Sequence, residues 1–272
     1  MRRLILVAAA LFAAALPAWA AEPTTVRALM EASRSDLIGE QLERNVAALT
    51  AQPSGALPDA AERNLPALAA RHFDADAIMA ELEAHLVARL QEADAAQMLD
   101  WYDSETARRL VEAEVRAAEI PPEELSRLAP DLLRRLQAED DPRVGLYRRI
   151  LDGLAAEDLA VAMGLNMTYA MLSGIAGSEQ MPIAPSDAQL LAIVRRMEPL
   201  MRAQAVESMM LSMVHAYRDV SVEDLDAYAG MVETPAGRSF FGALMAGLEA
   251  SLVSRAQAFG AEMMSATGAR DL

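Results

Sequence analysis

The chain of 272 residues contains no cysteine and, although 24 of its residues are basic, no lysine. Without cysteine it has no disulfide and no thiol nucleophile, so packing alone must stabilise it. Without lysine it has no Schiff-base chemistry and no phosphate-binding P-loop. Aromatic residues make up only 4% of the chain, whereas hydrophobic residues reach 53%. Alanine, leucine and methionine therefore dominate the apolar content, which favours helices over strands.

Positive charge is also scarce, because 40 acidic residues against 24 basic ones give a formal net charge of −16. So acidic a protein is repelled by nucleic acid and by anionic lipid surfaces. The acidic residues recur beside arginines, which is typical of solvated helix faces. We therefore expect no nucleic-acid partner and, since no glycine-rich phosphate loop is present, no cofactor.

The first twenty residues have the pattern of a secretory signal peptide. Two arginines precede an apolar run from Leu4 to Leu16, which is too short to span a bilayer as a helix. Ala18 and Ala20 form an A-x-A site, so we predict cleavage after Ala20. The sequence therefore predicts a soluble periplasmic or secreted protein, with no stable membrane span after removal of the signal peptide (residues 1–20).

Apolar residues recur at spacings of three and four along most of the chain, and no segment alternates strictly between apolar and polar residues. We therefore predict an all-α fold, a helical bundle. The predicted helices cover residues 24–50, 74–90, 94–118, 141–154, 158–175, 186–217, 221–233 and 235–264. A broken helical stretch is predicted over 123–138, a linker over 51–66, a loop over 176–186 and a flexible tail over 265–272.

Residues 158–175 are apolar on nearly every side of the predicted helix. Their number is close to what a membrane span requires. Polar positions within the segment and the lack of a charged cluster after it favour a central, fully buried helix instead.

Two parts of the chain resemble each other, because residues 71–114 align without a gap on residues 201–244. The alignment pairs His85 with His215, and near its end it pairs residues of similar type. It predicts two similar multi-helix units, the first over residues 21–140 and the second over residues 141–264.

The second unit contains a recognisable signature. An acidic helix that begins at Ser221 leads to the sequence Thr-Pro-Ala-Gly-Arg over residues 234–238. This pattern resembles the exported bacterial family called domain of unknown function 2059. The first unit retains other parts of the pattern in Trp101, Tyr102 and Ser104. The resemblance implies an all-helical exported protein, and it implies no activity.

The same signature has a purely structural interpretation. Ser104 and Thr234 are good helix N-caps, and Pro235 suits the first position of a helix. With Gly237 in the first turn, these residues predict a helix–cap–helix corner in each unit. A binding role for the corner is the alternative.

His85 and His215 are the candidate metal ligands. If the two units pack about a twofold axis, these imidazoles could approach each other and share a metal such as zinc or copper. The alternative is a pair of histidines bonded within the core. No His-Glu-x-x-His or Glu-x-x-His motif is present, which excludes the familiar zinc protease and di-iron patterns.

The chain has 17 methionines, and three of them, Met163, Met167 and Met171, follow one another at intervals of four. Thioethers fill irregular cores, line adaptable apolar grooves or bind Cu(I). Together with Tyr169 on the same predicted helix, these methionines are the candidate ligand-binding residues.

From these features we expect a non-enzymatic binding or interaction module that takes a protein segment or a small apolar ligand between its helices. One alternative is a metal-binding protein or metal-dependent enzyme that uses His85 and His215. The other is a structural component of the cell envelope.

Overall fold

The computed structural model describes residues 20–51, 59–120, 122–176 and 185–268. In these ranges the chain is helical and forms no strand, apart from a single antiparallel bridge between Ala20 and Gln91, so the all-α prediction is confirmed. The predicted signal segment up to residue 19 and the last four residues lie outside the described ranges. The helices are α1 (Pro23–Ala32), α2 (Asp36–Ala51), α3 (Asp59–His72), α4 (Ala75–Arg89), α5 (Glu92–Tyr102), α6 (Glu105–Ala118), α7 (Pro122–Ala138), α8 (Pro142–Gly153), α9 (Ala156–Ala176), α10 (Asp187–Ala216), α11 (Val222–Val232) and α12 (Pro235–Gly268).

Many helices begin at side-chain caps that the sequence places there. Asp74, Ser104, Asp141, Ser186 and Ser221 each accept a hydrogen bond from a backbone N–H in the first turn of the helix that follows. Each cap satisfies one of the four N–H groups that a helix start leaves without an internal partner.

The predicted helix over residues 24–50 is wrong, because it is broken between α1 and α2. Arg34 at the break has a φ of 52°, in the left-handed region. Its N–H and that of Ser33 bond back to the carbonyls of Glu31 and Leu29, which closes α1. The guanidinium of Arg34 then bonds Asp36 at the start of α2, so side-chain pairing fixes the corner that apolar spacing concealed.

Other predicted boundaries also need correction. The helix over 94–118 divides at Ser104, which caps α6, and α3 occupies much of the predicted linker over 51–66. The stretch over 123–138 is one helix with Pro130 inside it, so losing one backbone donor does not end α7. Residues 265–268 of the predicted tail belong to α12.

The buried apolar side chains form two cores. The first core lies between α1, α3, α4, α5 and α12, with buried residues from α9 and α11 at its edge, and includes Leu29, Leu82 and Phe240. The second lies between α6, α7, α8, α10 and α11, and includes Leu110 and Tyr147. These cores do not follow the predicted division of the chain at residue 140, since α12 belongs to the first core and α6 to the second.

The helices nevertheless repeat in order. In each half a short helix ends at a left-handed residue, Arg34 after α1 and Ala155 after α8. A longer helix follows, α2 in the first half and α9 in the second. The first half then has α3 and α4 where the second has the single α10. Next comes a helix of 11 residues, α5 or α11. A capped corner finally leads into α6 or α12. The last helix of each half packs on helices of the other half, α12 on α3, α4 and α5, and α6 on α10 and α11, which is a reciprocal exchange within one chain, although α12 also packs on α9 of its own half.

Helix α9 packs between α10 and α12, and its contact with α12 is the most extensive between any two described helices. The two helices approach closely, because a Cβ added at Gly174 lies 2.1 Å from the carbonyl oxygen of Gln257. The prediction of full burial is wrong: only Val161, Ala170, Gly174 and Ala176 are buried. By length and composition alone, α9 is also the described helix that is apolar enough to cross a membrane.

Candidate functional site

A groove of about 490 Å³ lies where the exchanged helices meet, within the size range of small-molecule binding sites. Residues of α2, α5, α6, α9, α11 and α12 form its walls, so both halves of the chain contribute. We call it the central groove. Its apolar lining consists of Leu37, Ile38, Leu42, Ala118, Met163, Phe240, Phe241, Leu244, Leu248 and Leu252. Its polar lining consists of Ser33, Arg34, Ser35, Gln41, Asn45, Tyr102, Glu114 and Tyr228.

Helix α12 supplies one long wall of the central groove. Leu244, Leu248 and Leu252 follow at intervals of four, which places them on one stripe of the helix. These leucines are also buried in the first core, so the wall is held in place by packing behind it. Phe240 continues the stripe toward α5, where its ring centroid lies 6.4 Å from that of Tyr102.

Glu114 of α6 is the one acidic side chain in this lining. The hydroxyl of Tyr217, which belongs to the second core, donates a hydrogen bond to Glu114 Oε1. Burial raises the pKa of Glu114, and the bond from Tyr217 opposes that rise only in part. Among the described residues no arginine pairs with Glu114, so its carboxyl group lies in the groove wall without a cationic partner.

Tyrosine side chains surround Glu114. Tyr102 and Tyr228 line the groove beside it, and the ring centroid of Tyr228 lies 6.0 Å from that of Tyr217. Burial raises the pKa of all three phenols, and the nearby carboxyl group raises it further. The phenols therefore stay neutral at ordinary pH.

Arg34 is the one cation in the groove lining, and it lies at the corner between α1 and α2. Its guanidinium bonds both oxygens of Asp36, at 2.9 Å from each, and 41% of its side chain is exposed. The charge of Arg34 is therefore already balanced, and solvent screens it.

A larger cavity of about 740 Å³ lies between α7, α8, α9 and α10. Its wall is strongly charged, because Arg202 bonds Glu157 at 2.7 Å and Asp158 at 2.8 Å there. These ion pairs span the wall from α10 to α9 and make the cavity less suited to an apolar ligand than the central groove.

The structure does not bring His85 and His215 to one site. His85 is half-buried on α4 and packs against α12, since a Cβ added at Gly247 lies 3.2 Å from its Cδ2. His215 is 5% exposed at the end of α10, and burial lowers its pKa. His85 and His215 each lie seven residues before the next helix begins, α5 at Glu92 and α11 at Val222, so the helix boundaries agree with the gapless pairing even though the two side chains have different surroundings.

The described residues contain no group of three or more His, Cys, Asp or Glu side chains placed to hold a metal ion. The Nε2 atom of His215 is buried and has no hydrogen-bond partner. Its neighbouring charges are Arg218 and Glu124, and Arg218 further disfavours a charged imidazole. Nothing in this geometry favours the metal hypothesis.

The predicted methionine candidates divide between the core and the groove. Met163, Met167 and Met171 are half-buried and pack against the first core, and Met163 also lines the central groove. Tyr169 is half-buried on α9 and lies outside the groove lining. The tyrosines beside the groove come instead from α5, α11 and the end of α10.

The signature residues form the two corners. The Oγ of Ser104 accepts the N–H of Ala107 at 3.1 Å, and Oγ1 of Thr234 accepts the N–H of Gly237 at 2.9 Å. Pro235 is the first residue of α12, as a proline at a helix start should be. A Cβ at Gly237 lies 2.3 Å from the carbonyl oxygen of Met231, so the second corner requires glycine. None of these residues lines the central groove.

No family model, characterised protein or solved structure matches the chain in comparisons with known proteins. The interpretation of the central groove therefore depends on its own geometry.

Proposed function

We propose that the protein is an exported, non-enzymatic binding protein that holds an elongated apolar ligand in the central groove. The observation that carries this proposal is the continuous apolar lining between α2 and α12, in a groove of small-molecule size. Apolar surface that is removed from water when the ligand binds there contributes about 25 cal/mol per Å² to the binding free energy.

The shape of the groove favours a long ligand. Its α12 wall extends from Phe240 to Leu252, a helical distance of about 18 Å at a rise of 1.5 Å per residue. Met163 on the α9 side offers a flexible thioether that adapts to the outline of a ligand. The signal pattern over residues 1–20 supports a location in the periplasm or outside the cell, where such a ligand would be carried or retained.

Calorimetric titration of the purified protein with dodecanol tests the proposal. Leu42→Asp places a charge in the groove wall, and Leu200→Asp makes the same change on α10, where Leu200 is 62% exposed and outside the groove. We expect saturable binding of dodecanol, reduced at least tenfold by Leu42→Asp and unchanged by Leu200→Asp. Absence of binding to the unmodified protein, or equal binding by both variants, contradicts the proposal.

A further inference from the structure

We propose that the ligand of the central groove carries a positive charge, as an amine or quaternary ammonium group, which Glu114 and the rings of Tyr102 and Tyr228 receive. This inference rests on the proposed function, because it specifies one end of a ligand whose apolar part occupies the same groove. It assigns the ligand to the class of cationic amphiphiles.

The carboxyl group of Glu114 has room for a cation. Tyr217 donates to Oε1 from the side of the second core, and no described donor bonds Oε2. Glu114 is half-buried, so ionising its carboxyl group without a cationic partner carries a desolvation cost, and a cationic ligand group that reaches it offsets part of that cost. Binding energy is therefore available at this end of the groove specifically to a cation.

Aromatic rings are concentrated at the same place. The chain has only five tyrosines and five phenylalanines, yet Tyr102, Tyr228, Phe240 and Phe241 all line the central groove. The faces of such rings attract alkylammonium groups through cation–π interaction, and several rings around one carboxylate strengthen the preference. Phe240 is buried in the first core, whereas Tyr102, Tyr228 and Phe241 are half-buried and offer ring surface to a ligand.

Other head groups fit the site less well. An anionic head group would bring a second carboxylate or a phosphate beside Glu114, and the one arginine in the lining, Arg34, already pairs with Asp36. A neutral hydroxyl would not stabilise the ionised form of Glu114, whose pKa is raised by burial. The formal net charge of −16 also concentrates cations around the molecule before they bind.

Titration with two ligands of equal chain length separates this inference from the proposed function. Dodecyltrimethylammonium carries the charge, and dodecanol lacks it. Glu114→Gln removes the charge in the groove, and Glu112→Gln removes an exposed charge from the same helix, where Glu112 pairs with Arg116. We expect the unmodified protein and Glu112→Gln to bind the ammonium compound at least tenfold more tightly than dodecanol. Glu114→Gln should bind both compounds about equally.

Each outcome supports or contradicts one of the two proposals. If Glu114→Gln keeps the ammonium preference, or if the unmodified protein has none, the inference is overturned while binding of dodecanol still supports the proposed function. If neither compound binds, the proposed function fails as well. Tyr102→Leu is a second variant that keeps the carboxyl group and removes a ring. It should weaken binding of the ammonium compound several-fold and leave dodecanol binding unchanged, and unchanged binding of both compounds counts against the aromatic contribution.

Discussion

The two cores of this protein share an order of helices, yet different interactions hold the exchanged helix in each. In the first core α12 supplies buried apolar side chains along most of its 34 residues, from Ala236 to Phe259. In the second core α6 has 14 residues and supplies only Leu110 and Ala113. Polar bonds add to this smaller contact, because Arg109 and Thr106 of α6 both bond Asp224 of α11. Helix α12 also forms ion pairs with the first half, Arg255 with Glu81 and Glu262 with Arg71, but these carboxylate side chains are 52% and 47% exposed, whereas that of Asp224 in the second core is 10% exposed.

Truncation of a buried apolar side chain on α6 or α12 should cause the largest loss of stability. Phe240 of α12 and Leu110 of α6 occupy equivalent positions in the two halves, and they are 1% and 3% exposed. We expect Phe240→Ala to lower the free energy of unfolding by about 4 kcal/mol and Leu110→Ala by about 3 kcal/mol, from lost burial and the cavities left behind. Urea unfolding followed by circular dichroism measures both. A cost below about 1 kcal/mol for either variant means that its helix does not anchor the core.

The ion pair between α6 and α11 should contribute the next largest effect. Asp224 is 8% exposed, and hydrogen bonds from Arg109 lower its pKa to about 2. Because the folded pKa lies below the ordinary value of 3.8, the pair stabilises the fold above that pH and loses its contribution as the pH falls toward 2. We expect Asp224→Asn to cost about 2 kcal/mol at pH 7.

The dependence of this cost on pH provides the control. The difference in stability between the unmodified protein and Asp224→Asn should shrink as the pH is lowered from 5 to about 2. In a double-mutant cycle with Arg109→Ala, the interaction energy between Asp224 and Arg109 should account for most of the stability lost in Asp224→Asn. A difference that stays constant with pH contradicts the role assigned to the charge of Asp224.

Local signals in the sequence were sufficient for most helix starts. Caps such as Asp74, Ser186 and Ser221 lie directly before an apolar periodic run, and each one begins a helix. The break at Arg34 left no such signal, because a left-handed arginine is stabilised by contacts outside the apolar pattern. The packing of α6 and α12 on the opposite half could not be predicted either, because the apolar spacing of a helix does not indicate which core it packs against.

The candidate site was only partly predictable for a similar reason. Of the predicted ligand-binding residues, Met163 lines the central groove. Glu114 was missed because an acidic residue beside arginines suggests a solvated face. Its position four residues after the buried Leu110 is the signal that could have found it, since it places a carboxyl group on the core side of α6. The surrounding tyrosines come from distant segments, and only the exchange brings them together.

The corner between α11 and α12 is packed more tightly than the corner between α5 and α6, and this difference can be tested. Gly237 has the carbonyl oxygen of Met231 against it, whereas the first corner has Ala107 at the equivalent position. Gly237→Ala should therefore cost about 2 kcal/mol, because backbone atoms must move apart. Gly242→Ala on the same helix is the control, since nothing lies within 4 Å of its added Cβ, and it should stabilise the protein by about 0.5 kcal/mol. Thermal unfolding distinguishes the two, and equal melting temperatures would show that the corner relaxes freely.

The caps should produce the smallest effect and test whether the two corners are equivalent. Ser104→Ala and Thr234→Ala each remove the acceptor of one N–H group, at a cost of about 1 kcal/mol. Thr234 also donates its hydroxyl to the carbonyl of Met231 at 2.7 Å, so its removal should cost more than that of Ser104. Ser104→Thr and Thr234→Ser, which keep both capping oxygens, are the matched controls. If Ser104→Ala proves the more costly in urea unfolding, the second hydroxyl bond does not stabilise its corner, and the close approach at Gly237 alone distinguishes the two corners.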